Sequence, residues 1–576
     1  MERFYLGISL GFNSSACIYS NERGLVAAVS QERLNGEKNT KELPFDAILA
    51  CLKIANTKEL YAVGISHYED LSEKYFLKYG QRFNLKGETY SEFVFNFLIE
   101  NGIEVTEKRI HYTSHHEAHA YSTYGFYGIP EDEKCFLITS DGFGDGESAT
   151  ITFDQKKISS IALKNSVALV YQFVTGALGF KEHQHEGKIT GLAAFGKPIY
   201  MHEFEGLYSP YLADDNGLNF ITETYDLTSE ELAQVAESKI FDFDKFLKLK
   251  KAVYELVNDL VKDGAKREDI AASVQEFAEK FTLNWIRRYC IPGHDAYISG
   301  GLFANVKINQ RIKDMKDDEG YRFFKNVYVC PAMGDEGTSV GVAIITASKF
   351  GDLKEGKSEH PSKHVICGTN FETPTIDYLR ERIDISKYTI TEGTNEETID
   401  FISDRLAKNK IVCLMREQME FGPRALCHRS ILYNADSRET NDWLNKKLSR
   451  TEFMPFAPVT REEVADDLFI NLDGGRDSAK FMTMTFDCTE EFAENYKAAC
   501  HIDNTARPQI ISKNDDLYMW TILEKYQELT GKKAMINTSF NLHNNPIIES
   551  VDVAISSWIK SDTDVLVIGN YMIEKI

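Results

Sequence analysis

Two histidines four residues apart are the first residues in this chain whose types and spacing could do chemistry. His115 and His119 stand in the stretch TSHHEAHAYS, which has the character of a short helix. Four residues are just over one helical turn, so both imidazoles project from the same helix face. Imidazole nitrogens bind divalent transition metals, but the same pair also suits an ordinary polar helix face. The pair alone leaves both interpretations open.

Two glycine-flanked aspartates favour a metal site. Asp141 ends an apolar strand in LITSDGFGDG, and Asp335 follows the strand VYVC in PAMGDEGTS. Glycine lets the backbone approach a ligand closely. Two imidazoles with one or two carboxylates would form a mixed N/O site suited to Fe(II), Zn(II) or Mn(II). Each aspartate taken singly is better explained as a simple turn residue, so the prediction depends on the four residues together.

Two glycine-rich stretches could approach a nucleotide. SGGLFAN (299–305) follows a strand and precedes a helix-like segment, a junction that can place N–H groups and a helix N-terminus against a phosphate or an adenine-ribose group. HEGKITGLAAFGKP (185–198) carries Lys188 and Lys197 among glycines. It is predicted as a loop, either anion-binding or flexible with solvated lysines.

Cationic side chains gather beside rigid turns in the last third of the chain. Arginine forks bind phosphate oxygens bidentately, and small hydroxyl and amide side chains suit triphosphate and ribose contacts. Salt bridges to the chain's surplus of acids are the alternative explanation. The residues concerned are Arg424, Arg429, Lys446, Lys447, Arg450, Arg507, Asn537, Thr538, Ser539 and Asn541.

Composition restricts the class of protein. The 576 residues carry a formal net charge of −23, which disfavours a nucleic-acid substrate because such affinity comes from Lys and Arg neutralising phosphates. The ten cysteines form no CxxC pair, so buried free thiols are expected rather than a zinc ribbon or a disulfide framework. The N-terminus lacks a signal-peptide pattern, and no run reaches the roughly 18 apolar residues of a membrane span. We expect a cytoplasmic protein with no nucleic-acid or membrane partner.

The elements that must position these residues alternate between strands and helices, which predicts an α/β fold. Two strand–turn–strand segments, starting near residues 4 and 135, hint at two related halves. The polar stretch 349–364 is predicted as a linker between parts 1–355 and 365–576. After it we predict a strand at VICG, a helix at EETIDFISDRLAKN, a strand at KIVCLM and a final strand at DVLVIGNYMI.

Together these segments resemble the carbamoyltransferase family of the nodulation and cephamycin/tobramycin type (NodU/CmcH). The matched pieces occur in family order along nearly the whole chain: HHEAHA, SDGFGDGES, EGKITGLAAFG, GGLFANVKIN, MGDEGTSVG, MEFGPRALCHRSIL, FMPFAPV, ARPQ, NTSFN and DVLVIG. EFGPRAL joined to FMPFAP and TSFN is a specific combination.

The resemblance implies two domains. Residues 1–355 would form an actin/hexokinase-like (ASKHA) domain of the kind found in the tRNA threonylcarbamoyl-transfer enzyme, and residues 365–576 a YrdC-like domain. The YrdC-like part would use ATP, with Mg, and carbamoyl phosphate to make carbamoyl-adenylate. The first domain would then carbamoylate a hydroxyl of a small molecule, such as a sugar or a natural product in antibiotic biosynthesis. The protein would act as a monomer or homodimer.

The resemblance also implies roles for single residues. The metal, often iron, would be held by His115, His119, Asp141 and Asp335. The adenylate pocket would be lined by Lys188, Gly300, Gly301 and Asn305. The ATP and carbamoyl-phosphate site would consist of Arg424, Arg429, Lys447, Arg450, Arg507, Asn537, Ser539 and Asn541.

This chain departs from the family pattern at two positions. Many members have a histidine in the first glycine turn as a candidate base for the acceptor hydroxyl, but Phe12 stands there and only Asn13 matches. Either another group, such as His116 or His185, takes the proton, or the acceptor differs. The usual lysine two positions before Arg450 is replaced by Leu448, with Lys446 and Lys447 adjacent.

Two other functions compete with O-carbamoyl transfer. A small-molecule kinase of the sugar-kinase type would use the same first fold but leaves the second cationic region without a role. A nucleotide-binding regulatory module with a structural metal leaves both candidate sites unexplained.

Overall fold

The computed structural model describes residues 2–66, 90–129, 134–207, 243–353, 356–357, 361–439, 446 and 455–576. Elements are numbered along these residues. They form a mixed α/β structure, which confirms the predicted fold class.

The N-terminal segment builds a sheet of five described strands in the order β3-β2-β1-β5-β7. Strand β1 pairs antiparallel with β2 and parallel with β5. Its residues from Tyr5 to Ser9 are all buried, as expected for a central strand covered on both faces. The elements are β1 (Phe4–Ser9), β2 (Ser15–Ser20), β3 (Gly24–Ser30), α1 (Gln31–Asn35), α2 (Phe45–Ala55), β4 (Glu59–Leu60), β5 (Ala62–Ile65), α3 (Tyr90–Glu100), β6 (Glu104–Val105), β7 (Ile110–Tyr112) and α4 (His115–Tyr127).

A second sheet repeats this arrangement with the described order β11-β10-β9-β12-β13. Strand β9 again pairs antiparallel with the next strand and parallel with β12, so strand order and sense match the first sheet and confirm the two related halves. The elements are β8 (Gly128–Ile129), β9 (Phe136–Gly144), β10 (Glu147–Phe153), β11 (Lys156–Ala162), α5 (Val167–Ala177), α6 (Glu186–Ala193), α7 (Met201–Glu205), α8 (Phe243–Lys262), α9 (Arg267–Tyr289), β12 (His294–Ser299), α10 (Val306–Lys313), β13 (Phe324–Val329) and α11 (Thr338–Ser348).

The rest of the chain centres on a sheet of eight described strands in the order β15-β25-β24-β16-β17-β23-β18-β22. The small β19-β20-β21 sheet is separate from it. The elements are β14 (Gly356–Lys357), α12 (Pro361–Val365), α13 (Ile376–Arg382), β15 (Tyr388–Glu392), α14 (Asn395–Ala407), β16 (Val412–Met415), β17 (Arg429–Tyr433), β18 (Ala457–Arg461), α15 (Ala465–Leu468), β19 (Phe469–Ile470), α16 (Arg476–Ala479), β20 (Phe486–Cys488), α17 (Glu490–Asn495), β21 (Thr505–Ala506), β22 (Gln509–Ile511), α18 (Leu517–Thr530), β23 (Ala534–Ser539), α19 (Val551–Ser561), β24 (Val565–Ile568) and β25 (Tyr571–Lys575).

Close packing of α11 on α4 sets the geometry of the candidate site, because α4 carries the histidine pair and α11 follows Asp335. Gly341 of α11 lies so close to α4 that a β-carbon there would overlap the carbonyl oxygen of Ala118. Glycine is needed at this crossing because only a hydrogen side chain leaves the two backbones room to meet.

Four local predictions differ from the structure. Residues 186–193 form helix α6 rather than a loop, VICG contains the end of α12 rather than a strand, and the final segment folds as two strands, β24 and β25. Asp141 lies within β9, which continues to Gly144. VICG still makes sheet-like bonds, since Cys367 O accepts from Ala28 N. A four-residue apolar run does not distinguish a strand from an irregular buried segment.

Parts of the predicted linker 349–364 are structured. Gly356–Lys357 forms β14, which pairs antiparallel with β8. The last residues of the predicted linker form the start of α12. One continuous set of buried apolar side chains reaches from Phe136 of β9 to Ile573 of β25, so the two predicted parts share a core. The boundary between 355 and 365 stays a prediction.

Candidate active site

Helix α4 presents the histidine pair at its first turn. Ser114 caps the helix, its side chain accepting a hydrogen bond from Glu117 N. His115 N donates to Asp145 Oδ2 at 2.6 Å, which ties the helix start to the turn after β9. The two Nε2 atoms of His115 and His119 lie 3.1 Å apart, and both side chains are buried. The predicted helix and its shared histidine face are confirmed.

The two aspartates converge on these imidazoles. Asp141 Oδ2 lies 3.1 Å from His115 Nε2, and Asp335 Oδ1 lies 3.3 Å from His119 Nε2. Asp335 Oδ1 is also 3.6 Å from His115 Nε2. One ligand atom from each of the four residues lies within 4.8 Å of all the others. This set (His115, His119, Asp141 and Asp335) is called the metal cluster below.

A ring of neighbouring groups holds the metal cluster in place. Gly301 N donates to Asp141 Oδ1 at 2.9 Å, and Ser299 Oγ lies 3.4 Å from His119 Nδ1. Gly144 packs against His115 so closely that a β-carbon would overlap the imidazole. Such outer partners orient metal ligands and fix histidine tautomers.

The electrostatics of the metal cluster suit a cation. Burial works to lower the pKa of His115, but Asp335 and Asp141 outweigh burial and raise that pKa to about 9. Burial opposes the charge on Asp141, yet the hydrogen bond from His115 and the nearby histidines hold its pKa well below the ordinary range. The negative charge of Asp141 and Asp335, which stabilises a protonated His115, would also stabilise a divalent metal ion bound between the same side chains. The four residues therefore fit the predicted mixed N/O site.

His116 points away from the metal cluster into the protein. Its Nδ1 lies 2.9 Å from Thr139 Oγ1 and its Nε2 lies 3.0 Å from Glu147 O, so both ring nitrogens have partners. Burial, followed by the neighbouring His115 and His119, lowers the pKa of His116 to about 3. The surroundings of this imidazole therefore suit a structural role, because both ring nitrogens are engaged within the protein.

The first glycine turn, between β1 and β2, lies close to Asp335. Asn13, with φ of 54°, donates from Nδ2 to Glu336 Oε2 at 2.6 Å. Burial raises the pKa of Glu336 to about 7. Phe12 packs its ring 4.9 Å from the ring of His183.

The predicted adenylate-pocket residues follow β12 or lie on α6. Gly300, with φ of 111°, donates its N–H to Met333 O at 2.8 Å, and a β-carbon there would overlap Ser140 O. The N–H groups of Gly300 and Gly301 are thus engaged within the protein, and the turn orients Asp141. Asn305 caps α10, its Oδ1 accepting from Lys307 N and Ile308 N. Lys188 is a buried side chain of α6.

A cavity of about 180 Å³ lies between α6, α9 and α10 on one side and segments 455–456 and 501–507 on the other. Arg507 lines it together with Gln275 and His501. Lys307 also lines it and pairs with Asp503 at 2.7 Å. The structure therefore places Arg507 where the two predicted parts meet.

The two arginines of the Gly-Pro turn lie in different environments. Arg429 is fully buried, and its Nη1 and Nη2 donate to the backbone carbonyls of Arg416, His428 and Glu417. Arg424 is half-buried. Gly422 O accepts from Arg33 Nη2 at 2.7 Å, which brings this turn against the N-terminal part.

The predicted amide and hydroxyl residues lie on or directly after β23, which pairs with β17. Asn537 Nδ2 donates to Gln509 Oε1 at 2.6 Å and to Ala425 O at 3.1 Å. Ser539 Oγ donates to Asn541 Oδ1 at 2.6 Å. The FGPRAL turn, β22 and the end of β23 thus form one neighbourhood. Lys447 and Arg450 lie outside the described residues.

Three contributors near the site were not predicted. Asp145 and Ser299 support the metal-cluster histidines, and His183 faces Phe12. Asp145 stands in the same DGFGDG turn as Asp141, so a second glycine-flanked aspartate was a usable signal. Ser299 begins the SGGLFAN stretch, which was predicted to approach a nucleotide rather than to support a histidine. His183 carries no local signal, because only the folded chain brings it close to Phe12.

Comparison with known proteins identifies the class. The chain matches the family described as "Carbamoyltransferase N-terminus" over residues 5–344 and the family described as "Carbamoyltransferase C-terminus" over residues 403–575. The chain belongs to the carbamoyltransferase family and is an enzyme that transfers a carbamoyl group. The predicted resemblance is confirmed, the regulatory-module alternative is wrong, and the match does not favour the kinase.

Relatives extend over nearly the whole chain. An uncharacterized protein of Methanocaldococcus jannaschii is 28% identical over 99% of both chains. Nodulation protein NolNO of Sinorhizobium fredii is 26% identical over 98% of this chain and 79% of its own. Among solved structures, HypF of T. kodakarensis is 14% identical over 61% of this chain and 49% of its own, with a TM-score of 0.32.

Two composition-based expectations can be compared with the described residues. There, no helix combines the length and apolar character needed to cross a bilayer. All ten cysteines are buried and free, as predicted.

Proposed function

We propose that this carbamoyltransferase works in two ATP-dependent steps. In the C-terminal part, carbamoyl phosphate, ATP and water give carbamoyl-adenylate, pyrophosphate and phosphate, with Mg accompanying ATP. In the N-terminal part, the carbamoyl group passes from AMP to a hydroxyl of a small molecule such as a sugar or a natural product.

The observation that carries this proposal is the convergence of the metal cluster beside the Gly300–Gly301 turn. Transfer of a carbamoyl group places negative charge on its carbonyl oxygen. A bound divalent cation, for which we propose Fe(II), would stabilise that charge as a Lewis acid. The residues around it have separate duties, since Gly301 and Asp145 orient Asp141 and His115 through the hydrogen bonds described above.

The adenylating step is supported by a second, separate neighbourhood. The FGPRAL turn and the NTSFN segment meet through Asn537 and Ala425. Arg424 belongs to this turn, and Arg507, two residues before Gln509, lines the cavity between the two predicted parts. Arginine suits a polyphosphate because its guanidinium binds phosphate oxygens bidentately. The contact between Arg33 and Gly422 places the turn next to the N-terminal part, which shortens the path of a reactive intermediate.

The first experiment incubates the protein with ATP, Mg and carbamoyl phosphate and identifies the nucleotide products. We expect pyrophosphate and carbamoyl-adenylate, with AMP as its breakdown product. ADP as the sole nucleotide product would support a kinase and overturn the proposal.

The division of labour is tested by two variants. Arg424→Ala should abolish adenylate formation, whereas His119→Ala should retain it and lose transfer. Arg380→Ala, an exposed arginine on α13, is the matched control for the removal of a guanidinium. If both site variants lost the same half-reaction, the assignment of one step to each part would be wrong.

Two further measurements complete the proposal. Elemental analysis of purified protein distinguishes Fe(II) from Zn(II) and Mn(II). Screening hydroxyl compounds by mass spectrometry for the addition of one carbamoyl group identifies the acceptor class.

A further inference from the structure

An alcohol must lose its hydroxyl proton when it accepts a carbamoyl group, and a positioned general base typically contributes about 10²–10⁴-fold to such a step. The question of which residue takes that proton rests on the proposed function. The histidines nearest the metal cluster do not suit the task. His115 and His119 face the cluster with Nε2, and His116 has partners at both ring nitrogens.

His183 lies on the turn between α5 and α6 and is an exposed residue, although its ring contacts Phe12 and Gln172. Its backbone has φ of 64°, a left-handed conformation that costs a non-glycine residue roughly 1–3 kcal/mol. Two contacts hold it there: His183 N donates to Glu186 Oε1 at 2.6 Å, and Asn39 Nδ2 donates to His183 O at 2.9 Å. These two contacts hold the backbone of His183 in its left-handed conformation.

The ring of His183 packs against the first glycine turn. Its centroid lies 4.9 Å from that of Phe12, the residue that stands directly before Asn13. Asn13 in turn donates to Glu336, the neighbour of Asp335. An imidazole therefore lies beside the turn whose Asn13 contacts Glu336, although residue 12 itself is not a histidine.

The hydrogen bonds around His183 define its tautomer. Gln172 Nε2 lies 3.2 Å from His183 Nε2 and also donates to Glu182 Oε2 at 3.2 Å. The Glu182 carboxylate can only accept, so the atom of Gln172 that faces it must be the NH₂ nitrogen. The same NH₂ group also faces the imidazole of His183. His183 Nε2 then carries the lone pair, which is the form that accepts a proton.

The charges around His183 have opposing effects. Partial loss of hydration beside the neighbouring side chains lowers the pKa of His183, and Lys41 lowers it further. Glu182, Asp335 and Asp141 raise it, but its pKa stays below the ordinary value of 6.5. Glu186, which accepts from the backbone of His183, is a further ionisable group in contact. The imidazole is neutral near pH 7 as a result.

We infer that His183 Nε2 is the general base that takes the proton of the acceptor hydroxyl. The hydroxyl replaces the long hydrogen bond from Gln172. Its O–H bond breaks towards Nε2 while its oxygen bonds to the carbamoyl carbon. The bond between that carbon and the phosphate oxygen then breaks, AMP leaves with the electron pair, and the imidazolium returns its proton to water.

The test uses methanol as the probe acceptor and measures methyl carbamate, with carbamoyl-adenylate formation measured in the same samples. His183→Asn should lower methyl carbamate formation about 100-fold while adenylate formation is unchanged. The low-pH decline of the wild-type transfer rate, which reports protonation of the base, should be absent from this variant. His202→Asn, an exposed histidine on α7, is the matched control.

A compensating variant makes the test independent of nonspecific damage. Phe12→His combined with His183→Asn places an imidazole on the opposite side of the same ring contact, and at least a tenfold recovery of transfer is expected. Transfer within threefold of wild type in His183→Asn would overturn the inference. So would a loss of transfer that keeps the wild-type pH profile and is not recovered by Phe12→His. Failure of the proposed function is distinguishable, since wild-type protein would then form no adenylate.

Discussion

The metal cluster and the arginine-bearing turn of the C-terminal part use their charged groups in opposite ways. In the metal cluster, four ligand atoms within 4.8 Å of one another face inward, and their outer hydrogen bonds only orient them. In the C-terminal part, the buried Arg429 donates to backbone carbonyls of the protein itself. Removing the charge of a metal-cluster residue should therefore affect metal binding, whereas removing the charge of the buried Arg429 should affect folding.

The largest effect is expected from Asp141→Ala. This carboxylate contacts His115 with Oδ2 and Gly301 N with Oδ1, so its loss removes both a ligand and a positioning contact. We expect metal affinity to fall by more than the roughly 10–100-fold that loss of an outer partner costs. Metal content after dialysis measures this, and full retention of metal would contradict the assignment of the cluster.

Arg429→Met tests the other side of the comparison. The substitution leaves buried carbonyls without their donor, so the free energy of unfolding should fall by roughly 2–4 kcal/mol. Urea unfolding measures this, with Arg476→Met on α16 as the matched control. Unchanged stability with lost adenylate formation would show instead that Arg429 acts on the substrate, as its sequence position predicts.

A smaller effect is expected from Gly301→Ala. A β-carbon at this position would lie 2.5 Å from Asp141 Oδ1 and displace the carboxylate. Metal affinity should fall about tenfold, at the lower end of the range for outer partners. Isothermal titration with Mn(II) measures the change. Gly187→Ala, where a β-carbon meets open space, should leave affinity unchanged.

Ser114→Ala should have the smallest effect. It removes the side-chain cap of α4, and loss of a cap costs about 1 kcal/mol. Thermal unfolding should show this loss while metal content is retained. A large loss of metal would mean that the cap, rather than the contact with Asp145, positions His115.

Sequence patterns predicted the parts of the site that depend on local spacing. The four-residue separation of His115 and His119 is a property of any α-helix, and α4 forms as expected. Secondary-structure predictions were wrong where glycine residues suggested a loop and where a short apolar run was compatible with more than one structure. Gly187 and Gly191 suggested a loop, yet α6 forms with every residue from Lys188 to Ala193 buried, so tertiary burial outweighs the low helix propensity of glycine.

The sequence by itself indicated the family, through motifs in family order, and the α/β alternation and the shared face of His115 and His119, which depend on near-neighbour periodicity; it named Asp141 and Asp335 as candidates from their glycine-flanked turns. Tertiary structure alone decided which distant groups meet: Asp145 with His115, Ser299 with His119, His183 with Phe12, and Arg429 with its carbonyls. The physical reason is that such contacts depend on how helices and sheets pack, and packing joins residues far apart in the chain. Gly341 is an example, because it allows α11 to pack closely on α4.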